Sequence, residues 1–306
     1  MDDRLRLGIV ILNWNGMRDT LACLESLRKL KTKSGIQVIL YLVDNASEEC
    51  SPKIFEERYP EIKLIVNDAN LGYAEGNNVG IREAVRAGCR YVILLNNDTE
   101  VALGFVNEMV ETAESDNAIG IVTPKLLFWS HPKKVQYAGG KLNLSTGKNV
   151  IIGYGEEDNG QYDQRWETGF CTGTSILLRI DMLKKTGLLA EEYFAYHEDS
   201  EMCLRALKAG YKLFYTGKTF VLHKGSRALG GYMNPISFYY STRNLFFLVK
   251  KHGSFRNKIN CIVYILFFYW AAVLGYSLLT RQPILFVYFC KACRDFLCSR
   301  QGMLRQ

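Results

Sequence analysis

No GxGxxG follows the first apolar run of this sequence, so the usual dinucleotide-binding turn is missing from the place it would occupy. The nine cysteines, scattered from Cys23 to Cys298, show no framework spacing. That argues against a disulfide scaffold and for reduced thiols in a cytosolic compartment. Cys290 and Cys293 form a lone CxxC with no second pair and no His nearby, which argues against structural zinc. The N-terminus, MDDRLRLGIV, has acids where a signal peptide needs a basic segment, so no export signal is expected. Acids are nearly missing from the other end: from Lys250 onward nine Lys or Arg stand against Asp295 alone. Of the formal net charge of +7, this tail therefore carries +8 and residues 1–249 carry −1. A neutral body argues against nucleic acid as a partner, whatever the total charge suggests.

What is present describes a globular chain. Hydrophobic residues make up 48% and charged residues 23% of 306, enough for one large core or two modest ones. Apolar β-branched runs alternate with helical spacing through the first 125 residues. LGIVILN ends at Asn13, IQVILYLVDN contains Asp44 and Asn45, IKLIVN is shorter, and YVILLNND runs from Tyr91 into Asn96, Asn97 and Asp98. Between them, Met17 to Leu30 and Ile81 to Gly88 keep a helical face, and 103–115 looks helical. This alternation predicts an α/β fold with a mostly parallel sheet and helices on both faces. Three of four strands end in side-chain oxygens. Each alone reads as a turn, but parallel strands present those ends on one edge, where open α/β sheets bind ligands.

Residues 126–170 are Gly-rich and polar and read as hairpins and loops, a place for substrate-selecting parts. GTSILLRIDML returns to the core, an acidic helix start follows at HEDSEMCLR, and TFVLHKGS is a last strand carrying His223. The stretch 259–280 holds no charge, with basic residues on both flanks. Its 22 residues meet the length of a spanning helix, yet positive charge on both sides favours ends that stay on one side. A hairpin in one leaflet, a helix in the interface and a buried core pair all remain open. The division expected is 1–250 as the catalytic body, with a nucleotide-binding half (1–125) and an acceptor and catalytic half (126–250). A basic, apolar, membrane-associating helical tail (251–306) follows.

The blocks VILNWNG, VDNAS, NLGYAEGNNVGI, LLNNDTEV, GFCTGTSILLRIDMLKKTGLLAEEYFAYHEDSEMCLRALKAGY and VLHKGS resemble, in order and spacing, the family-2 inverting glycosyltransferases, rhamnosyltransferase-like branch. The resemblance covers about residues 6–250 and implies a GT-A-like fold. It implies that Asp44 accepts a hydrogen bond from a uracil or thymine ring, with Asn13, Trp14 and Asn97 near the nucleotide-sugar. Gly72 and Asn78 lie about a helix start, where free amides favour phosphate. Asn96–Asp98 takes the place of the family's D-x-D motif, but its first position is Asn, which leaves Asp98 as the one carboxylate for Mg²⁺ or Mn²⁺. His223 matches the histidine that completes that metal site, and Asp199 the base on the acceptor hydroxyl, with Glu198 beside it. The function implied is hexosyl transfer, rhamnose or another hexose, from a dTDP- or UDP-sugar to a lipid-linked glycan. That transfer serves surface polysaccharide biosynthesis on the cytoplasmic face of the cell membrane. A sugar-nucleotide pyrophosphorylase, or a non-catalytic nucleotide-sugar-binding protein, is the alternative.

Overall fold

The computed structural model describes residues 4–49, 51–225, 234–279 and 281–304. Ser226 of the VLHKGS block, Thr280 at the end of the uncharged segment and the tail's Arg305 lie outside them. The first half alternates as expected: β1 (Leu5–Asn13), α1 (Met17–Arg28), β2 (Ile36–Asp44), α2 (Ser51–Arg58), β3 (Lys63–Val66), α3 (Gly72–Arg86) and β4 (Tyr91–Asn96). A short β5 (Thr99–Val101) and α4 (Phe105–Glu114) close it. The polar middle folds as strands: β6 (Ile119–Phe128), β7 (His131–Tyr137), β8 (Gly140–Asn143), β9 (Lys148–Ile151) and β10 (Arg165–Thr168). Then come β11 (Ser175–Arg179), α5 (Ile180–Thr186), a 3₁₀ turn (Glu191–Tyr193), α6 (Glu198–Lys208) and β12 (Lys212–His223). The last part is helical: α7 (Pro235–His252), α8 (Phe255–Tyr264), a π turn (Ile265–Tyr269), α9 (Trp270–Leu279) and α10 (Ile284–Leu297).

One sheet runs in the order β10-β12-β6-β11-β4-β1-β2-β3, with β5 paired to β12 and β7 to β6; β8 and β9 form a separate hairpin. Leu7, Ile9, Val10 and Tyr91 to Leu94 have no exposed surface, so the core sits along β1 and β4. There α3 closes on β1 through glycine: a Cβ on Gly80 would stand 2.4 Å from Val10 Cγ1. The parallel expectation holds for β4-β1-β2-β3 and again for β6 with β12, but β11, between β4 and β6, lies antiparallel to both, so the sheet is mixed. Nothing in SILLR could announce this, since a strand buried on both faces needs only apolar side chains in either direction.

The boundary expected at residue 250 falls inside α7. The tail is also not one unit. The helical stretch Phe255–Leu279 is mostly exposed, whereas α10 folds back onto α7. Tyr239 Oη donates to Asp295 Oδ2 at 2.8 Å, and Phe296 packs edge-on against Phe246 and Phe247. Beyond α10, Gly302 N–H donates to Glu192 O at 2.8 Å and Leu304 N–H to Tyr240 Oη at 2.7 Å. The core-pair reading thus describes α10, and an exposed apolar surface describes the helix before it.

Candidate active site

Register brings the polar strand ends together. Asn13 pairs with Asp44 across β1 and β2, and Leu12 with Asn96 across β1 and β4. The edge they form is internally bonded. Asn13 Nδ2 donates to Asp44 Oδ2 at 2.7 Å and to the hydroxyls of Ser47 and Ser51 at 3.1 Å each. Thr20 donates to Asn13 Oδ1 at 2.7 Å. Asp44 also accepts from Ser51 Oγ at 2.9 Å and Ser47 N at 2.8 Å, and neither Asn13 nor Asp44 has exposed surface. The expectation that Asp44 reads the nucleobase is corrected here: its oxygens face three protein donors, and the carboxylate builds the edge from beneath. Asn97 bonds Thr20 Oγ1 at 2.9 Å and, unlike Asn13, borders the open cavity.

That cavity, of about 320 Å³, is bordered by Trp14, Gly72, Asn97, Asp98, Glu198 and Asp199. Asp98 is only 6% exposed, and beside it His223 Nε2 lies 3.3 Å from its Oδ1. His223 Nδ1–H donates to Gln136 Oε1, which can only accept, at 2.8 Å. In the neutral ring this leaves the lone pair on Nε2, which is buried and has no hydrogen-bond partner. A bare imidazole nitrogen facing a carboxylate, oriented from behind by an amide, fits a divalent ion. Among the described residues no group of three His, Cys, Asp or Glu could hold one, so these two would be the protein's ligands and a diphosphate would supply others.

The start of α3 does not present free amides. Gly72 N–H donates to Asn70 Oδ1 at 2.9 Å, and Tyr73 and Ala74 N–H both reach Phe194 O, at 2.6 and 3.2 Å. A phosphate seat on Gly72 is therefore corrected. Gly72 is needed because its φ is +80° and a Cβ would stand 2.6 Å from Phe194. Asn78 is also moved away from the nucleotide. It is fully buried, its Nδ2 donating to Leu189 O at 2.9 Å and its Oδ1 accepting from Leu189 N at 3.0 Å, so it ties α3 to the segment before α6.

That segment is bent hard. Phe194, Tyr196 and His197, none of them glycine, have φ of 64°, 68° and 71°. Such angles cost on the order of 1–3 kcal/mol each and persist only where surroundings impose them. The imposing residue is Asn244 of α7, whose Nδ2 donates to the carbonyls of Tyr193, Ala195 and Tyr196 at 2.7, 2.8 and 2.9 Å. Neighbouring Arg243, 1% exposed, reaches Tyr193 O at 3.2 Å and Gly302 O at 2.8 Å.

The bend delivers the two acids of HEDSEMCLR into the cavity. Asp199 does not cap its helix from outside, as Asp often does; it is the second residue of α6. Its Oδ2 accepts from Gly173 N at 2.9 Å and its Oδ1 from Ser200 N at 2.6 Å, which fixes the carboxylate. Glu198 is 5% exposed and its Oε2 has no partner. Burial first, and the Asp199 charge second, push its carboxyl up to about 8, so it holds a proton at neutral pH. Burial likewise pushes the His197 imidazole below its usual range. The sequence shows neither the clamp by Asn244 nor the Gln136 support. Both are polar residues in ordinary runs, and their partners lie 48 to 87 positions away.

Against known proteins, the sequence profile of glycosyl transferase family 2 matches residues 9–187. An N-acetylglucosaminyl-diphospho-decaprenol L-rhamnosyltransferase of Mycobacterium tuberculosis is 26% identical over 221 residues, 66% of this chain and 70% of that one. The dTDP-rhamnosyl transferase RfbF of Shigella flexneri is 24% identical over 199 residues, 63% of this chain and 64% of its own length. In fold, the chain is similar to the mannosyltransferase PcManGT of Pyrobaculum calidifontis, at TM-score 0.59 and 13% identity over 97% of this chain and 88% of that one. It is also similar to S. aureus TarS 1-349, at TM-score 0.58 and 14% identity over 97% and 81% of the two chains. The architecture is GT-A-like, with a mixed sheet and a helical C-terminal region.

Proposed function

The chain belongs to glycosyl transferase family 2 and is a glycosyltransferase; from that premise we propose that it moves rhamnose or another hexose from a dTDP- or UDP-sugar to a hydroxyl of a lipid-linked glycan, with inversion. The rhamnosyltransferases it resembles support the sugar, and the diphospho-decaprenol in the name of one supports a lipid-linked acceptor. The observation that carries the reading is one cavity holding both a fixed carboxylate, Asp199, and the pair Asp98 and His223 with its bare Nε2.

The two adjacent acids take different parts, because Glu198 keeps its proton while Asp199 accepts two backbone N–H bonds. Asp199 takes the proton of the acceptor hydroxyl, whose oxygen forms a bond to the anomeric carbon. The bond from that carbon to the diphosphate breaks on the opposite face, and the nucleoside diphosphate leaves with the electron pair. Glu198 is placed to donate a hydrogen bond to a sugar or acceptor oxygen. Trp14 offers a ring at the nucleoside edge that Asn13 and Asp44 hold in shape. Mg²⁺ or Mn²⁺ on Asp98 and His223 would offset the charge of the departing diphosphate, and the Mn²⁺ in the similar mannosyltransferase supports this choice.

The exposed apolar stretch Phe255–Leu279, long enough to cross a membrane, attaches the enzyme to the cytoplasmic face. Since α10 returns to α7, the stretch meets the membrane with both of its ends on one side, while α10 stays packed on the body.

The deciding experiment couples metal to donor. EDTA is expected to stop transfer, Mn²⁺ or Mg²⁺ to restore it, and metal affinity to rise with nucleoside diphosphate. Asp98→Ala should weaken this coupling more than His223→Ala, and Gln136→Leu should lower metal affinity by about ten- to a hundredfold. Full activity of the Asp98 and His223 variants in EDTA would refute the reading.

A further inference from the structure

A second concavity, of about 280 Å³, opens between α7, α8 and α10, away from the acids. Phe246, Val249, Cys261, Ile265 and Phe296 wall it in hydrocarbon and sulfur, and Lys250 and Lys258 stand at it. Both lysines are exposed, and neither forms an ion pair among the described residues. Their neighbour Lys251 does, with Glu192 and Glu201 at 3.0 Å each, and Arg294 and Arg300 share Asp295. No carboxylate lines the groove.

We infer that this groove seats the apolar chain of an anionic lipid acceptor, with Lys250 and Lys258 beside its phosphate-bearing head. The inference rests on the lipid-linked acceptor proposed above. A peptide would bring backbone N–H and C=O groups into walls that offer them no partner, and their lost hydration would go uncompensated. A second copy of this chain, paired face to face, would bring four ammonium groups together without an acid between them. A flat bilayer surface meets convex side chains, not a recess. A hydrocarbon chain ending in phosphate satisfies walls and rim together. The site also lies within reach of the chemistry. Ser241 of α7 borders the active cavity, and Val249 lines the groove eight positions further along the same helix, about 12 Å away.

Farnesyl diphosphate, an isoprenoid diphosphate that dissolves as a monomer, tests this without a membrane. Its affinity is measured by titration calorimetry on the full chain, with excess UDP present so that its diphosphate cannot enter the nucleotide site. Tight binding by the wild type is expected, with weaker binding of farnesol and no competition from inorganic diphosphate. Lys250→Glu with Lys258→Glu, and separately Ile262→Asp at a position 56% exposed on the groove wall, should each weaken binding at least tenfold. Melting temperatures report that both variants fold. Loss of affinity in both variants supports the groove even where no sugar moves, so the acceptor reading can fail alone. No binding by the wild type, or unchanged affinity in both variants, overturns the groove even where transfer proceeds. A wild-type dimer that Ile262→Asp turns to monomer, with no farnesyl diphosphate bound, overturns it in favour of a second copy.

Discussion

Glu198 and Asp199 are adjacent in sequence, and burial sets Glu198 apart. Glu198 titrates near 8 in the fold and at its ordinary 4.5 in the open chain, so folding takes up a proton between those values. The stabilisation this gives is present below about 4.5 and lost as pH rises through about 8. Glu198→Gln keeps the neutral shape at every pH, so its Tm should fall less than that of the wild type between pH 6 and 8.5; equal falls would show that Glu198 is already ionised. Asp199→Asn should instead lower kcat by about 10²–10⁴-fold, while calorimetry shows donor affinity unchanged. At this scale the sequence was half legible. Asp98, Asp199 and His223 stand out through the LLNNDTEV, HEDSEMCLR and VLHKGS blocks that match the family-2 enzymes. Asn13, Asp44 and Asn78 stand out equally, but their hydrogen bonds to Ser47, Ser51 and Leu189 exist only after folding. Residue type alone cannot tell an oxygen that faces a ligand from one that faces the protein.

At the scale of elements, the site depends on α7 holding a strained turn in place. Asn244→Ala would leave the carbonyls of Tyr193, Ala195 and Tyr196 without their shared donor. The expected cost is about 1–3 kcal/mol of stability, with kcat reduced at least tenfold and donor KM little changed, since Asp199 moves and the nucleotide edge does not. Stability loss with full kcat would make Asn244 a packing residue only. A second tie works at the far end of the same helices. Burial of Glu201 pushes its carboxyl up, but His252, Arg205 and Lys251 outweigh that and hold it at about 2, which fastens α6 to the end of α7. The alternating β and α elements were legible because hydrophobic period is written locally. The reversed β11 and the role of α7 were not, because strand direction and helix docking are decided by partners far along the chain.

For the whole molecule, the tail expected to associate with a membrane is in part packed onto the body through α10. Deleting 259–306 removes the Asp295 bond to Tyr239, the Phe296 contacts and the Gly302 anchor of Arg243. The truncated protein should therefore melt lower and lose transfer even to a soluble acceptor. Phe267→Asn with Leu279→Asn, at side chains 68% and 87% exposed, should release the intact fold from anionic vesicles in a flotation assay with Tm preserved. Retention on vesicles by that variant would leave the basic charges as the anchor. The return of Gly302 and Leu304 to α7 and to the turn before α6 also bears on when the enzyme becomes competent. On the ribosome the sheet around β1 and β4 can close early, but Arg243 waits for Gly302, and Tyr240 for Leu304, before the turn that carries Asp199 is secured. A nascent chain would thus hold a formed sheet edge and an unfixed Asp199, and activity should appear only after synthesis has passed residue 304.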